Sequence, residues 1–385
     1  MEYRTVPKTG WDVSTLSFGC MRFNDPESAA AAVSKAVELG VNYFDVAPAY
    51  CGAHSEEWLG GAIAALPREK LIVTAKSSPG NGGEALGEYN PETGFGILTA
   101  DQARSQIERS MQRLGVDHLD MYQFWALHSQ AVFDEGMKPG GFMEGVIKAH
   151  DEGLFDYIGM TTHSESEDVI RYLKDSPYEF DMVTLPFHAA NAGRTAAIDY
   201  CVERGIGVVA MNPLGGGRLA RKAPVLNRIA GEIGFKTLVE PALRFVAHTP
   251  GITTALNGIT LAEQAEEGAA AVAAGPLSAD AAARLRKRLE ELYAVVNPRH
   301  LCSACGYCGR CPQGILIPKV LEAATDLRIP SLGADTRELV RKRIGEKAEG
   351  WDPSACTACG ECEAKCPNKL PIAELMAQAA EIWPA

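Results

Sequence analysis

What the 385-residue chain does not contain narrows the field first. No apolar run approaches the ~20 residues that a helix needs to cross a bilayer, so no membrane-spanning segment is expected. The N-terminus, MEYRTVPKTGWDVS, has no cationic stretch leading into an apolar one, so no secretory leader is read and the expected location is cytoplasmic. An excess of basic residues is also missing. There are 37 Lys and Arg against 49 Asp and Glu, and the net charge of -12 argues against a nucleic-acid partner. Residues 299–385 carry eleven charges of each sign, so the whole acidic excess lies in residues 1–298. No motif for a flavin or a radical cofactor is present either.

What the chain does have is apolar content of 46% and a length beyond one ordinary core, which together imply a large domain plus a smaller one. Eleven cysteines would suggest disulfides in a short secreted chain. Here eight of them fall into two tight runs of a chain read as cytoplasmic, which suits metal clusters. The other three, Cys20, Cys51 and Cys201, read as inert core thiols.

Apolar and polar residues alternate around Lys8, Thr9 and Gly10, predicting a hairpin that could plug the bottom of a barrel. Strand and helix patterns then alternate. Strands are expected at 16–19, 43–47, 71–75, 119–127, 157–161, 182–185, 207–211 and 252–256. Helices are expected at 26–39, 55–66, 99–114, 141–152, 165–174, 195–204, 237–246 and 261–274. Eight such pairs close a (β/α)8 TIM barrel. Two long connections, 77–98 and 129–140, follow carboxyl ends of strands, where loops shape pockets. A charged amphipathic helix capped at Ser278 follows Gly275 and Pro276. The expected division is a barrel over 1–276, a linker helix over 277–298, and a small, mainly helical, ferredoxin-like domain over 299–385.

In that last segment Cys302, Cys305, Cys308 and Cys311 are each two residues apart and precede Pro312. Cys356, Cys359, Cys362 and Cys366 follow an x2, x2, x3 pattern before Pro367. Three cysteines at x2 spacing wrap three corners of a 4Fe-4S cube, and a distant cysteine closes the fourth. Two runs imply two 4Fe-4S clusters. The prolines turn the chain away after Cys311 and Cys366, so the sets are expected to interleave: Cys302, Cys305 and Cys308 with Cys366, and Cys356, Cys359 and Cys362 with Cys311. Zinc is the alternative, needing only half of each run.

The chemistry of the larger domain is read from NYFDVAPAY, residues 42–50, a buried strand ending in Asp45 with Tyr50 five residues on. Lys76, His128 and His163 stand at or just past other strand ends, where barrels keep their reactive groups. Reducing a carbonyl by hydride leaves an alkoxide, so a proton donor must act with it. A phenol could donate, an ammonium could tune its pKa downward, a carboxylate could hold the ammonium, and an imidazole could orient the carbonyl. The glycines of PLGGGRLA, with Pro213, Leu214, Gly215 and Gly217, suit backbone amides approaching a pyrophosphate.

The stretches KTGWDVSTLSFG, NYFDVAPAYCGAHSEEWLG, LIVTAK, DMYQFWALHS, YIGMTTH, VVAMNPLGGGRLA and NGITLAEQAEEG, with both cysteine runs, resemble aldo/keto reductases that carry a C-terminal ferredoxin domain. That resemblance implies a TIM barrel and a catalytic tetrad of Asp45, Tyr50, Lys76 and His128. It implies NADP(H) or NAD(H), with Gly258, Thr260, Gln264 and Glu267 at the adenosine end and Thr162, His163, Thr184 and Met211 at the nicotinamide end. Several of these depart from the family pattern: Gly268 replaces an asparagine, no Lys or Arg follows Thr260, and Met211 replaces a stacking tyrosine.

The reading is an oxidoreductase that transfers hydride between NAD(P)H and a small carbonyl or alcohol, with iron-sulfur electron transfer and a possible redox partner protein. One alternative is an electron-transfer or binding protein whose barrel turns over little. Another is a metal-dependent barrel enzyme using His54, His128, His163 and His188 with Asp45 or Cys51.

Overall fold

The computed structural model describes residues 1–82, 85–296, 301–346 and 348–383. The expected end of the linker helix at 298 and start of the smaller domain at 299 lie outside the described residues.

Strands β1 (Tyr3–Thr5) and β2 (Asp12–Ser14) form the antiparallel hairpin, with Tyr3 opposite Ser14. It closes the bottom of the barrel. Val6 and Val13 join the inward residues Tyr43, Ile72, Met121, Met182 and Val209 in one buried cluster. Tyr157 Oη donates to Thr9 O at 2.9 Å and fastens the plug.

Eight parallel strands close the barrel in the order β10-β3-β4-β5-β6-β7-β8-β9. They are β3 (Leu16–Gly19), β4 (Tyr43–Asp45), β5 (Ile72–Ser77), β6 (Leu119–Phe124), β7 (Phe155–Thr161), β8 (Met182–Pro186), β9 (Gly207–Met211) and β10 (Thr254–Gly258). Their helices are α1 (Pro26–Glu38), α2 (Ser55–Ile63), α3 (Ala100–Leu114), α4 (Gln130–Met137), α5 (Phe142–Asp151), α6 (Ser166–Asp175), α7 (Thr195–Val202), α8 (Pro224–Glu232), α9 (Val239–Ala247) and α10 (Ala262–Ala273). β5 is buried on both faces because helices cover its outside. Alternation then sends Ile72, Thr74 and Lys76 inward. Register aligns Asp45 with Thr74 and Lys76 with Gln123, so an apolar floor is followed by a polar layer near the carboxyl ends. The helices pack close: a Cβ on Gly145 of α5 would sit 2.2 Å from Ala100 O at the start of α3.

Two helices depart from the sequence expectation. The 129–140 connection contains α4, started by Ser129 Oγ accepting from Val132 N at 3.3 Å. Flanking glycine and proline hide so short a helix in the sequence. Likewise α8 precedes the expected helix near 237, which is α9. β6 is shorter than the 119–127 read from its apolar run, because Ala126 turns to a left-handed φ of 57°.

α11 (Ala279–Tyr293) is capped by Ser278 as predicted. Its buried Leu285, Leu289 and Tyr293 lie in one cluster with Leu226 and Ile229 of α8 and Ala242 of α9. Beyond it come α12 (Ile317–Arg328), α13 (Pro330–Gly345), α14 (Glu361–Ala364) and α15 (Ile372–Ile382), with no strand among the described residues. Val320, Leu321, Ile372 and Met376 surround the cysteines as a separate small core. Arg221 of the barrel reaches Asp326 on α12, with Nη1 to Oδ1 at 2.8 Å, which joins the two regions. No helix among the described residues is long and apolar enough to cross a membrane.

Candidate active site and cysteine centres

Asp45, at the end of β4, is almost wholly buried, and so is Lys76 near the end of β5. They form a direct ion pair. Such a pair is tolerable only if its remaining hydrogen-bonding capacity is filled. Gln123 Nε2 donates to Asp45 Oδ2 at 2.8 Å, and Thr74 Oγ1 donates to the same oxygen at 3.3 Å, so donors from β5 and β6 hold the carboxylate of β4.

Tyr50 stands in a 3-10 turn (Tyr50–Ala53) that begins beyond the end of β4. The Lys76 ammonium lies 4.9 Å from the centre of its ring, over the face rather than at the hydroxyl. Burial, with Tyr307 and Asp45 adding to it, pushes the phenol well above its ordinary pKa. Burial thus outweighs the downward tuning expected of Lys76, and the resting phenol is kept in its protonated form.

His128 follows β6 and is buried. Its Nδ1 accepts from His163 N at 3.0 Å. A ring nitrogen that accepts carries no proton, and burial and the neighbouring His163 push the pKa well below 6.5. The neutral ring therefore carries its hydrogen on Nε2.

Asp45, Tyr50, Lys76 and His128 line one cavity of about 290 Å³. His163, Thr184, Met211, Pro213, Leu214, Gly217, Gly258, Thr260, Gln264 and Glu267 line it as well, so the expected cofactor residues form a continuous wall from Tyr50 to α10. Two of them do not line it. Thr162 is buried, with its hydroxyl accepting from Ser164 N at 3.0 Å, and Gly215 faces His188 in a neighbouring cleft. Gln264 also caps α10, its Oε1 accepting from Thr260 N at 2.8 Å. His163 is also tied to Asn368, with Nδ1 and Oδ1 2.7 Å apart.

Several residues at the cavity were not singled out from the sequence. Trp125 stacks on Phe95 with ring centres 4.2 Å apart, and both meet Tyr307 edge-on. Tyr307 Oη lies 3.5 Å from Tyr50 Oη. Tyr307 and Cys305 line the cavity, so the first cysteine run forms part of its roof. In the sequence Tyr307 is only a spacer between Cys305 and Cys308, and nothing local marks its destination. Arg22 lines the adenosine end and donates through Nη2 to Ala304 O at 3.1 Å. Ser303 lies so near Gly216 that a Cβ there would come within 2.5 Å of Ser303 O.

None of the eight cysteines of the two runs forms a disulfide. Burial raises the Cys305 pKa to about 12, and Cys302 and Cys366 push it further in the same direction. Cys308 is raised first by burial and then by Cys305, Cys302 and Cys366. Cys362 is raised by burial and then by Glu363, Cys356 and Cys359. A small cleft is lined by Cys311, Cys356, Cys359 and Cys362, together with Cys308. The thiols of the two runs lie close together, Cys305 and Cys308 near Cys366 of the other run and Cys308 and Cys311 beside Cys356, Cys359 and Cys362, and the donor set suits iron-sulfur clusters. Among the described residues no three His, Cys, Asp or Glu converge on a point where a single ion could be held, at the barrel mouth or in the cysteine runs. His54 lies outside the cavity, stacked on Trp58. Cys20 and Cys201 are buried and Cys51 is half-buried.

Comparison with known proteins accords with this geometry. An L-galactose dehydrogenase of Arabidopsis thaliana is 26% identical over 77% of this chain and 95% of its own length. A D-threo-aldose 1-dehydrogenase of a Pseudomonas species is 24% identical over 57% of this chain and 69% of its own. Among solved structures, the holo form of the aldo-keto reductase AKR11C1 from Bacillus halodurans superposes with a TM-score of 0.61 at 23% identity, over 75% of this chain and 96% of that one, which speaks for the fold. The model of a 4Fe-4S dicluster domain matches residues 301–370. The aldo/keto reductase family model matches residues 15–290, most of the sequence, and the chain accordingly belongs to that family and bears a 4Fe-4S dicluster domain at its C-terminal end.

Proposed function

We propose that the protein is an NAD(P)H-dependent carbonyl reductase, or alcohol dehydrogenase in reverse, whose pocket is in electronic contact with a pair of 4Fe-4S clusters. The observation that carries this is the convergence of a protonated phenol, a neutral imidazole and a buried ammonium-carboxylate pair in one cavity. Bound NAD(P)H supplies the hydride to the carbonyl carbon. Tyr50 Oη gives its proton to the carbonyl oxygen, so the substrate gains a hydride at carbon and a proton at oxygen and leaves as the alcohol. His128 Nε2–H directs the carbonyl oxygen, and being neutral it does so without donating charge. Lys76 stands over the Tyr50 ring and steadies the negative charge left on the phenolate, which makes the proton easier to part with at that moment. Asp45, filled by Gln123 and Thr74, keeps Lys76 in position.

The groove from Met211 to Glu267 fits an extended dinucleotide. Its cation is Arg22, which supports a 2′-phosphate and hence NADP(H), with NAD(H) the alternative. Each cluster supplies one-electron transfer. Cys302, Cys305, Cys308 and Cys366 are read as holding one and Cys311, Cys356, Cys359 and Cys362 the other. The 3.5 Å approach of Tyr307 Oη to Tyr50 Oη supports a reading in which the first of these lies near the reacting groups. We also propose a division into barrel, bridging helix and ferredoxin-like domain near residues 276 and 299.

The test is an anaerobic titration of the cluster-loaded protein with NADPH and with NADH, followed by turnover of a panel of aldehydes. Binding of either nucleotide is expected, with Tyr50→Phe lowering turnover about 10²- to 10⁴-fold while nucleotide affinity stays unchanged. Near-native turnover by that variant would remove Tyr50 from the mechanism.

A further inference from the structure

A second cavity, again about 290 Å³, lies where the barrel mouth meets the cysteine-bearing region. None of Asp45, Tyr50, Lys76 or His128 lines it. The barrel contributes segments that follow β7, β8 and β9, and the other wall is built from Leu301, Ser303, Pro367, Asn368 and Lys369. Leu219, Tyr293 and Leu301 make part of the lining apolar.

The polar part is incompletely satisfied. Arg218 is only 6% exposed. Among the described residues its one hydrogen bond runs from Nε to Cys302 O, at 3.1 Å, and no carboxylate pairs with it. His188 Nδ1 is buried with no partner among the described residues. Arg194, Glu165 and Asp168, which also line the cavity, are matched. Arg194 is held by Ser164 O and His163 O, each at 2.8 Å, and by Glu165 at 3.2 Å. Asp168 pairs with Arg171 at 2.7 Å. Among the described residues Arg218 Nη1 and Nη2 and His188 Nδ1 are thus left over on the cavity wall, and polar groups stranded together around a cavity need an explanation.

We propose that this cavity is a second ligand site, for a small organic anion whose carboxylate or phosphate is held by Arg218 and His188 and whose apolar body rests on Leu219, Tyr293 and Leu301. A bare inorganic ion would leave most of the space unfilled, since cavities of this size accept drug-like fragments. His188 has its pKa pushed down to about 4 by burial and by Arg194 and Arg218, so the ring is neutral and can donate one hydrogen bond without competing for the charge. A ligand here touches both walls. It therefore strengthens the docking of the cysteine-bearing region on the barrel in proportion to its occupancy.

The experiment is anaerobic calorimetry on the cluster-loaded full-length chain. The probes are phenyl phosphate and phenylacetate, which carry a body, and inorganic phosphate and acetate, which do not. One-site binding of phenyl phosphate or phenylacetate is expected, and the comparison of the two identifies the preferred head group. Arg218→Gln and His188→Leu should each weaken it by about tenfold or more, and binding should persist in saturating NADPH. Cluster absorbance and melting temperature show that each variant is folded, and His188→Leu stands alone if Arg218→Gln disturbs the nearby cysteines. The proposal is overturned by no heat from any probe at millimolar concentration, by equal binding of the body-less ions, by unchanged affinity in a folded variant, or by displacement with NADPH. That last result would assign the anion to the first cavity and leave the hydride-transfer reading intact.

Discussion

Each strand of the barrel contributes fully buried side chains such as Phe18, Phe44, Phe124, Met160 and Leu185, and these join helix residues in one continuous core. Beyond Leu301 the corresponding core shrinks to Ile315, Ile317, Val320, Leu321, Leu370, Ile372, Met376 and a few alanines, with Cys366 inside it and five more cysteines against it. The first region has apolar surface enough to pay the entropy of ordering its chain, whereas the second gathers thiols that burial and mutual repulsion keep from ionising. Iron binding would relieve this, since each ligating thiol gives up its proton to solvent and its negative charge is met by the metal. The comparison teaches that one chain can join a part with an extensive apolar core to a part whose small core is built around its thiols.

The largest effect expected from this difference comes from chelating the iron. Helices α12 to α15 should melt while the barrel keeps its near-ultraviolet dichroism, and limited proteolysis should release fragments only from residues beyond 296. A cooperative collapse of both parts would mean that the barrel, too, depends on the clusters.

Cys311→Ser sharpens the comparison within the second region. Cys311 lines a cleft with Cys356, Cys359 and Cys362, so iron counting and paramagnetic resonance should find that cluster lost or altered and the other retained. Damage confined to the cluster of Cys302, Cys305 and Cys308 would show that the two runs are self-contained.

Acid should weaken the barrel mouth in a defined window. His163 and His188 have pKa values lowered by burial from 6.5 to about 4, and His128 is shifted the same way. The unfolded chain therefore binds more protons than the folded one below about 6.5, so stability is level above that pH and declines as the pH falls toward 4. Urea midpoints across that range are the check, and a His163→Asn variant should show a shallower decline. A midpoint that rises on acidification would contradict the burial of these rings.

The smallest expected effect tests the seam. Asn368 Oδ1 accepts from His163 Nδ1 and its Nδ2 donates to Ser303 Oγ at 2.9 Å, linking the last cysteine run, the first, and the barrel. Asn368→Leu should cost about 1 kcal/mol in urea unfolding and change aldehyde KM more than the cluster spectra. An unaltered stability and KM would leave the docking to the other contacts of the seam, such as Arg221 with Asp326, Arg22 with Ala304 and Arg218 with Cys302.

Much of this was legible without coordinates because it depends on period and spacing. Alternation of apolar strands with amphipathic helices, repeated eight times, closes only as a barrel, and NYFDVAPAY ends its strand at Asp45 for the same reason that LIVTAK carries Lys76 to the mouth. Two cysteine runs with x2 spacing specify cubane ligation because the cube's corners demand it. Short elements escaped, as α4 and α8 did, because eight or nine residues flanked by glycine and proline carry too little periodicity to be read.

Other features could be decided only by packing. That the phenol of Tyr50 is pushed up rather than down follows from its burial, with Tyr307 and Asp45 adding to it, and neither its depth nor those neighbours are written locally in the chain. The tautomer of His128 depends on a backbone N–H 35 residues away. Tyr307 meets Tyr50 across 257 residues, and Arg218 meets Cys302 across 84. The sequence by itself determined which elements form and which thiols can ligate iron, since those are properties of neighbours along the chain. The tertiary structure alone decided that the first cysteine run roofs the barrel's cavity, because docking one folded surface on another depends on shapes that exist only after each has formed.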